Sequence, residues 1–170
     1  MVPDEEIIEL TPYEYDEVPE KPPKPVHRWV RLVLVGLTVP WIVVFAIATQ
    51  LRPYDDNGEP LRLGTHKQMG LPECNFKAMA GIPCPSCGMT TSFSLLLHAD
   101  VWNSLKANFA GTLLATLGLV FIPWALASAF LGRFVFVRSA EITLFWLALA
   151  FLVILFGRWA IVVAIELLTR

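Results

Sequence analysis

The residues able to do chemistry sit close together. Gly81 to Phe93 reads GIPCPSCGMTTSF, which places Cys84 and Cys87 three positions apart around Pro85, and the third cysteine, Cys74, lies ten residues upstream. Thiolates bind metal ions or exchange disulfides, and both reactions depend on a lowered thiol pKa. Pro85 suits the first position of a helix, where a missing N–H costs nothing. That reading puts Cys84 at the cap and Cys87 in the first turn of a helix over about 85–98. Both sulfurs would then share a face, in the partial positive charge of a helix start.

Three assignments of the cysteines stand open. A structural metal site needs a fourth ligand, and His66 is the available imidazole, so His66, Cys74, Cys84 and Cys87 make a Cys₃His set suited to tetrahedral zinc. A redox centre would use Cys84 and Cys87 as a dithiol with Cys74 as exchange partner. A structural staple would join Cys74 to Cys84 or Cys87 and leave one thiol free. The sequence decides neither for nor against an enzyme.

Two further residues bear weighing. His98 lies eleven positions after Cys87, about 16 Å along a helix axis, too far to share its ligand sphere; it reads as interfacial. Arg158 is a cation inside an apolar run, which is costly unless it faces a cavity or a partner, or snorkels to headgroups near the end of its helix. Snorkelling is the expected behaviour.

The elements that must position these residues are apolar. The chain has 170 residues, 55% of them hydrophobic, with a mean hydropathy of +0.57, against about 45–50% in soluble domains. Uninterrupted apolar blocks run over 30–51, 109–131 and 142–168, each meeting the requirement of about 20 residues for a membrane helix. The expected fold is therefore an all-α integral membrane protein of three transmembrane helices. A short amphipathic cysteine-bearing helix lies in the 52–108 loop between the first two, with Met89, Phe93, Leu96 and Leu97 as its apolar stripe. The first half of that loop, Arg52 to Cys74, is rich in Gly, Pro and Asn and reads as turn and coil. Pro40 and Pro123 should kink their spans. Trp41 and Trp124, deep within their segments, read as packing residues, and other tryptophans as interfacial anchors.

The first span competes with a cleavable leader, because Arg28 and Arg31 precede an apolar run ending Ala46-Ile47-Ala48. The length of the run, Pro40 and the acidic segment before it favour a retained helix. That segment, residues 1–29, carries eight carboxylates by Glu20 and is rich in proline. It cannot offset its chain entropy by burial and reads as a disordered tail. A protein partner could dock on it through Ile7, Ile8, Leu10, Tyr13 and Tyr15. Without residues 1–20 the chain has 13 basic against 7 acidic side chains. An N-inside arrangement sets Lys21, Lys24, Arg28, Arg31, Arg133 and Arg138 in the cytoplasm against Arg52, Arg62, Lys67, Lys106 and Arg170 outside. The tight cluster before the first span favours that orientation, with the cysteine loop outward.

The motifs Gly64-Thr65-His66, Gly70-Leu71-Pro72 with Cys74, and Cys84-Pro85-Ser86-Cys87-Gly88-Met89-Thr90-Thr91 resemble the bacterial membrane proteins grouped as domain-of-unknown-function 2752, over roughly residues 52–130. The resemblance implies a cysteine loop and short helix between membrane spans, in the bacterial inner membrane, and implies no activity. Many relatives carry an arginine where this chain has Thr91. Phosphate-binding glycine loops, HExxH, GxSxG and basic nucleic-acid surfaces do not occur in the sequence, so the partners it points to are the lipid bilayer and no nucleic acid.

Overall fold

A computed structural model describes residues 26–135 and 140–169. The acidic tail, its docking residues, Lys21, Lys24, Arg138 and Arg170 lie outside the described residues. Five α-helices follow in order: α1 (Arg28–Gln50), α2 (Asn75–Ala80), α3 (Met89–Leu97), α4 (Val101–Leu131) and α5 (Ala140–Leu168). A 3-10 turn, Thr65–Met69, precedes α2. α1, α4 and α5 are long and apolar enough to cross a membrane, and with no strand among the described residues the fold is that of an all-α integral membrane protein.

The core lies where α1, α3 and α4 meet. Phe45, Ala48, Phe93 and Ala115 form its buried cluster, bordered by Trp41, Met89, Leu96, Leu97, Leu114 and Ile122. Close approach of α1 to α4 needs Gly118, since a Cβ there would stand 2.4 Å from the Trp41 ring. Small residues at such crossings let backbones approach where lipid removes the hydrophobic drive between helices. Trp124 donates from Nε1 to the Val135 carbonyl at 2.7 Å.

The short helix is placed differently from the expectation. It begins at Met89, behind Gly88 in the left-handed region at φ 84°, and carries no cysteine. Thr91 through Leu95 are buried, so α3 is an inserted core helix and not a surface strip. Its hydroxyls turn inward: Ser94 donates to the Leu51 carbonyl at 3.0 Å and Thr65 donates to Thr91 Oγ1 at 2.7 Å. These bonds join α3 to the end of α1 and to the 3-10 turn. Among the described residues, no buried side-chain nitrogen or oxygen lacks a partner.

Two other expectations change. The Arg52–Cys74 stretch is more ordered than turn and coil: Tyr54 and Pro60 form an isolated bridge, and Gln68 pairs with both the N–H and the C=O of Arg52, at 2.9 and 2.7 Å. In α4 the departure from helical geometry falls at Asn108 (φ −157°, ψ 103°), not at Pro123. The helix starts seven residues before that break, capped by Asp100, whose side chain accepts from Asn103 N.

Candidate thiol and metal site

The CPSC segment is a turn. The Cys84 carbonyl accepts from Cys87 N at 3.1 Å, the i to i+3 bond of a β-turn, with Pro85 at the position whose φ it presets. The turn does what a helix was expected to do: it brings two cysteines three residues apart side by side, their sulfurs 3.1 Å apart. The Cys84 N–H also points at Cys87 Sγ, at 3.2 Å, and the Ser86 hydroxyl lies 3.3 Å from Cys84 Sγ.

Cys74 comes from a separate segment. It is the N-cap residue of α2, and the return of the chain after that helix brings its sulfur to the turn. The sulfurs of Cys74, Cys84 and Cys87 all lie within 4.8 Å of one another, each half-buried. Three thiolates on a tetrahedral zinc with bonds of about 2.3 Å stand about 3.8 Å apart, a value between the closest contact here and that outer limit. No S–S bond joins the three. His66, on the 3-10 turn, is not one of the clustered groups; it lies within electrostatic reach of Glu73, the residue before Cys74. Glu73 pairs with Lys67, and that hydrogen bond and charge hold its carboxyl below the usual range.

The paired thiols are unequal. Burial pushes Cys84 up, but hydrogen bonds from Ser86, Cys87 and Cys74 outweigh it and bring its pKa down to about 7. Burial raises Cys87, and its hydrogen bond with Cys84 adds to the rise, to about 12. One proton shared between two close sulfurs gives this split, because the first thiolate formed is stabilised by the neighbour that keeps its hydrogen.

Gly88 closes the turn against its support. A Cβ there would meet the Ala107 carbonyl at 2.8 Å and the Arg62 carbonyl at 3.0 Å, so the position requires both a positive φ and the absence of a side chain. From the other side, Asn108 Nδ2 donates to the Cys87 carbonyl at 3.0 Å, and Asn108 Oδ1 accepts from Gly111 N at 3.0 Å. Asn108 thus caps the second section of α4 while holding the cysteine turn. Beneath it, Ser104 donates to the Ser92 carbonyl and bonds Thr112, both at 2.7 Å.

The far end of α5 reaches the same place. Trp159 Nε1 donates to the Pro83 carbonyl at 2.8 Å and its ring meets Phe76 of α2 edge-on. Arg158 Nη2 donates to the Ala107 carbonyl at 3.2 Å. That carbonyl is the one whose helical partner, Gly111 N, is taken by Asn108. Arg158 therefore finds a protein partner where headgroup snorkelling was expected. His98 is bonded through Nδ1 to the Ser94 carbonyl at 2.8 Å and stands edge-on to Tyr54, away from the cysteines.

Asn108, Ser86, Arg158 and Trp159 complete the surroundings of the thiols. The sequence reading weighed Arg158 and took Trp159 as a candidate interfacial anchor, and it gave Asn108 and Ser86 no role at the site. Asn108 carried one signal, a lone amide at the edge of an apolar block; the Trp159 contact crosses 76 residues of chain and carried none.

The arrangement defines a small helical membrane protein with three thiols gathered beside its second span. Residues 74–122 match the family described as a protein of unknown function (DUF2752). The matched segment holds all three cysteines, α2, α3 and the break at Asn108. No curated protein and no solved structure matches the chain.

Proposed function

We propose that the protein is a membrane-embedded metal-binding module that holds a thiophilic divalent ion, zinc foremost, on Cys74, Cys84 and Cys87, with His66 as candidate fourth ligand. The observation that carries this is the convergence of three sulfurs within 4.8 Å from two separate segments, the donor type and spacing that closed zinc sites use. A pair of cysteines alone would not need Cys74 brought back by its own helix. The test is metal analysis of detergent-purified full-length protein. Zinc near one per chain that is lost in Cys74→Ala and falls in His66→Ala supports the Cys₃His site. Retention in His66→Ala with loss in Cys74→Ala leaves a three-thiolate site with an exogenous fourth ligand. A metal-free protein after zinc addition refutes the reading.

The sulfur contact of Cys84 with Cys87 supports a second reading, a membrane thiol oxidoreductase. There the Cys84 thiolate attacks a partner disulfide and expels one partner thiolate. Cys87, losing its proton, then attacks the Cys84 sulfur of the mixed disulfide and expels the other. The pair ends oxidised and the partner reduced. A reversible Cys84–Cys87 disulfide in metal-free protein would favour it. For setting, we propose the bacterial inner membrane with a cytoplasmic N-terminus, the cysteine loop outside, and the acidic tail as a docking arm for a protein partner. Arg28 and Arg31 at the start of α1 support the orientation, and a reporter fused after residue 75 that reads cytoplasmic would overturn it.

A further inference from the structure

A guanidinium at membrane depth is expensive unless something compensates it. Among the described residues no carboxylate pairs with Arg158; the ion pair there is Lys67 with Glu73. Arg158 is half-buried and, among the described residues, its hydrogen bond runs to the Ala107 carbonyl. That carbonyl lies against Gly88, the residue after Cys87, and the next residue, Asn108, holds the Cys87 carbonyl. The charge on Arg158 is within electrostatic reach of Cys87. Its neighbour Trp159 fixes the other end of the same turn, at Pro83. Two consecutive residues of α5 thus meet the cysteine turn and its support, Trp159 directly at Pro83 and Arg158 through the Ala107 carbonyl packed against Gly88, and one of them is a permanent cation.

Taking the metal site proposed above as its premise, we propose that Arg158 is the counter-charge of that site, a positioning residue that stabilises the anionic thiolate set, with Trp159 seating it. A divalent ion on three thiolates leaves one net negative charge. In a half-buried site such a charge interacts with a nearby cation more strongly than it would between fully exposed groups in water. Arg158 thus meets its own compensation requirement and that of the cluster together. Partners of this kind typically change metal affinity by about 10- to 100-fold.

The experiment titrates Cd²⁺ into full-length protein in nanodiscs and reads the sulfur-to-metal charge-transfer absorption, with a competing chelator to set affinity. The proteins are wild type, Arg158→Gln, Arg158→Lys and Trp159→Phe. The expected result is affinity about 10- to 100-fold lower in Arg158→Gln, largely recovered in Arg158→Lys, with a smaller fall in Trp159→Phe. Equal affinity in wild type and Arg158→Gln overturns the proposal, as does an equal fall in Arg158→Gln and Arg158→Lys, which would assign the effect to the Ala107 hydrogen bond and not to charge. Absence of Cd²⁺ binding by wild type would refute the metal reading itself and the counter-charge role with it, whereas wild-type binding that Arg158→Gln leaves unchanged overturns the counter-charge role alone. Thermal unfolding of each variant identifies any that fails to fold, and the conservative Arg158→Lys carries the comparison in that case.

Discussion

Asn108 joins the break in the second span to the cysteine turn: one end of its amide donates to the Cys87 carbonyl at 3.0 Å, and the other accepts from Gly111 N at the same distance. Both bonds are made away from water, where an unpaired partner costs about 1–3 kcal/mol. Asn108→Ala removes both, leaving the Cys87 carbonyl and the Gly111 N–H to find others. The expected outcome is a loss of about 2–4 kcal/mol in denaturant unfolding in detergent, with faster alkylation of Cys87 because its turn is released. Asn108→Asp, which keeps the Gly111 bond but presents no donor to Cys87, should lie between wild type and alanine in stability.

Gly88 offers a sharper test of how the turn is packed. A side chain there must adopt φ 84° and place its Cβ 2.8 Å from one backbone carbonyl and 3.0 Å from another. The left-handed backbone alone costs about 1–2 kcal/mol for a non-glycine residue, and neither carbonyl belongs to a flexible side chain that can swing aside. Gly88→Ala should therefore destabilise by more than that backbone figure and weaken metal retention. In contrast, Gly58→Ala also faces a positive φ but open space. It should cost only the backbone component, which thermal unfolding of the two variants side by side will measure.

The inequality of the paired thiols predicts a pH profile for metal-free, reduced protein. With Cys84 held at about 7 and Cys87 raised to about 12, Cys84 is mainly protonated and slow below pH 7 and mainly thiolate above it. Cys87 stays protonated throughout the accessible range. Iodoacetamide labelling resolved by peptide mass spectrometry should show Cys84 reacting with a midpoint near pH 7 and Cys87 lagging behind it. Ser86→Ala removes the hydroxyl at 3.3 Å from the Cys84 sulfur, so the Cys84 midpoint should move to higher pH. An unmoved midpoint would assign the shift to the neighbouring sulfurs instead.

The spans were legible because hydrocarbon imposes a long, unmixed apolar block on any helix that crosses it, and no other element in the chain has that composition. The closeness of Cys84 and Cys87 was legible too, but for a different reason from the one that operates. Proline preorganises a β-turn as readily as a helix start, and either brings residues three apart together. Gly88 was the distinguishing residue: a left-handed glycine immediately before Met89 starts the helix there and excludes the cysteines from it. The approach of Arg158 and Trp159 to the turn was not legible, because local pattern carries no information on which face of a uniformly apolar helix meets a loop far away in sequence. The same holds for α3, whose serines and threonines look like a polar face in sequence. Thr91, Ser92 and Ser94 are buried, each hydroxyl matched to a backbone carbonyl or another hydroxyl.

That inward-facing polarity can be tested at Thr65 and Thr91. Their hydroxyls meet at 2.7 Å with both residues buried, linking the 3-10 turn to α3 across 26 positions of sequence. Replacing one threonine by valine keeps the shape and leaves the other hydroxyl short of a partner, which should cost about 1–3 kcal/mol in either single variant. Replacing both removes the need for a partner altogether, so the double variant should be less destabilised than the sum of the singles, with a coupling of about 0.5–3 kcal/mol. Denaturant unfolding of the four proteins in the same detergent gives the cycle. Strict additivity would mean that the two hydroxyls do not depend on one another. Position 91 also offers a direct test of that enclosure. In this chain the side chain is enclosed, so Thr91→Arg would have to bury a guanidinium against Thr65. It should unfold α3 from the core and release the Ser94 bond to the Leu51 carbonyl, visible as loss of amide-exchange protection across residues 89–97.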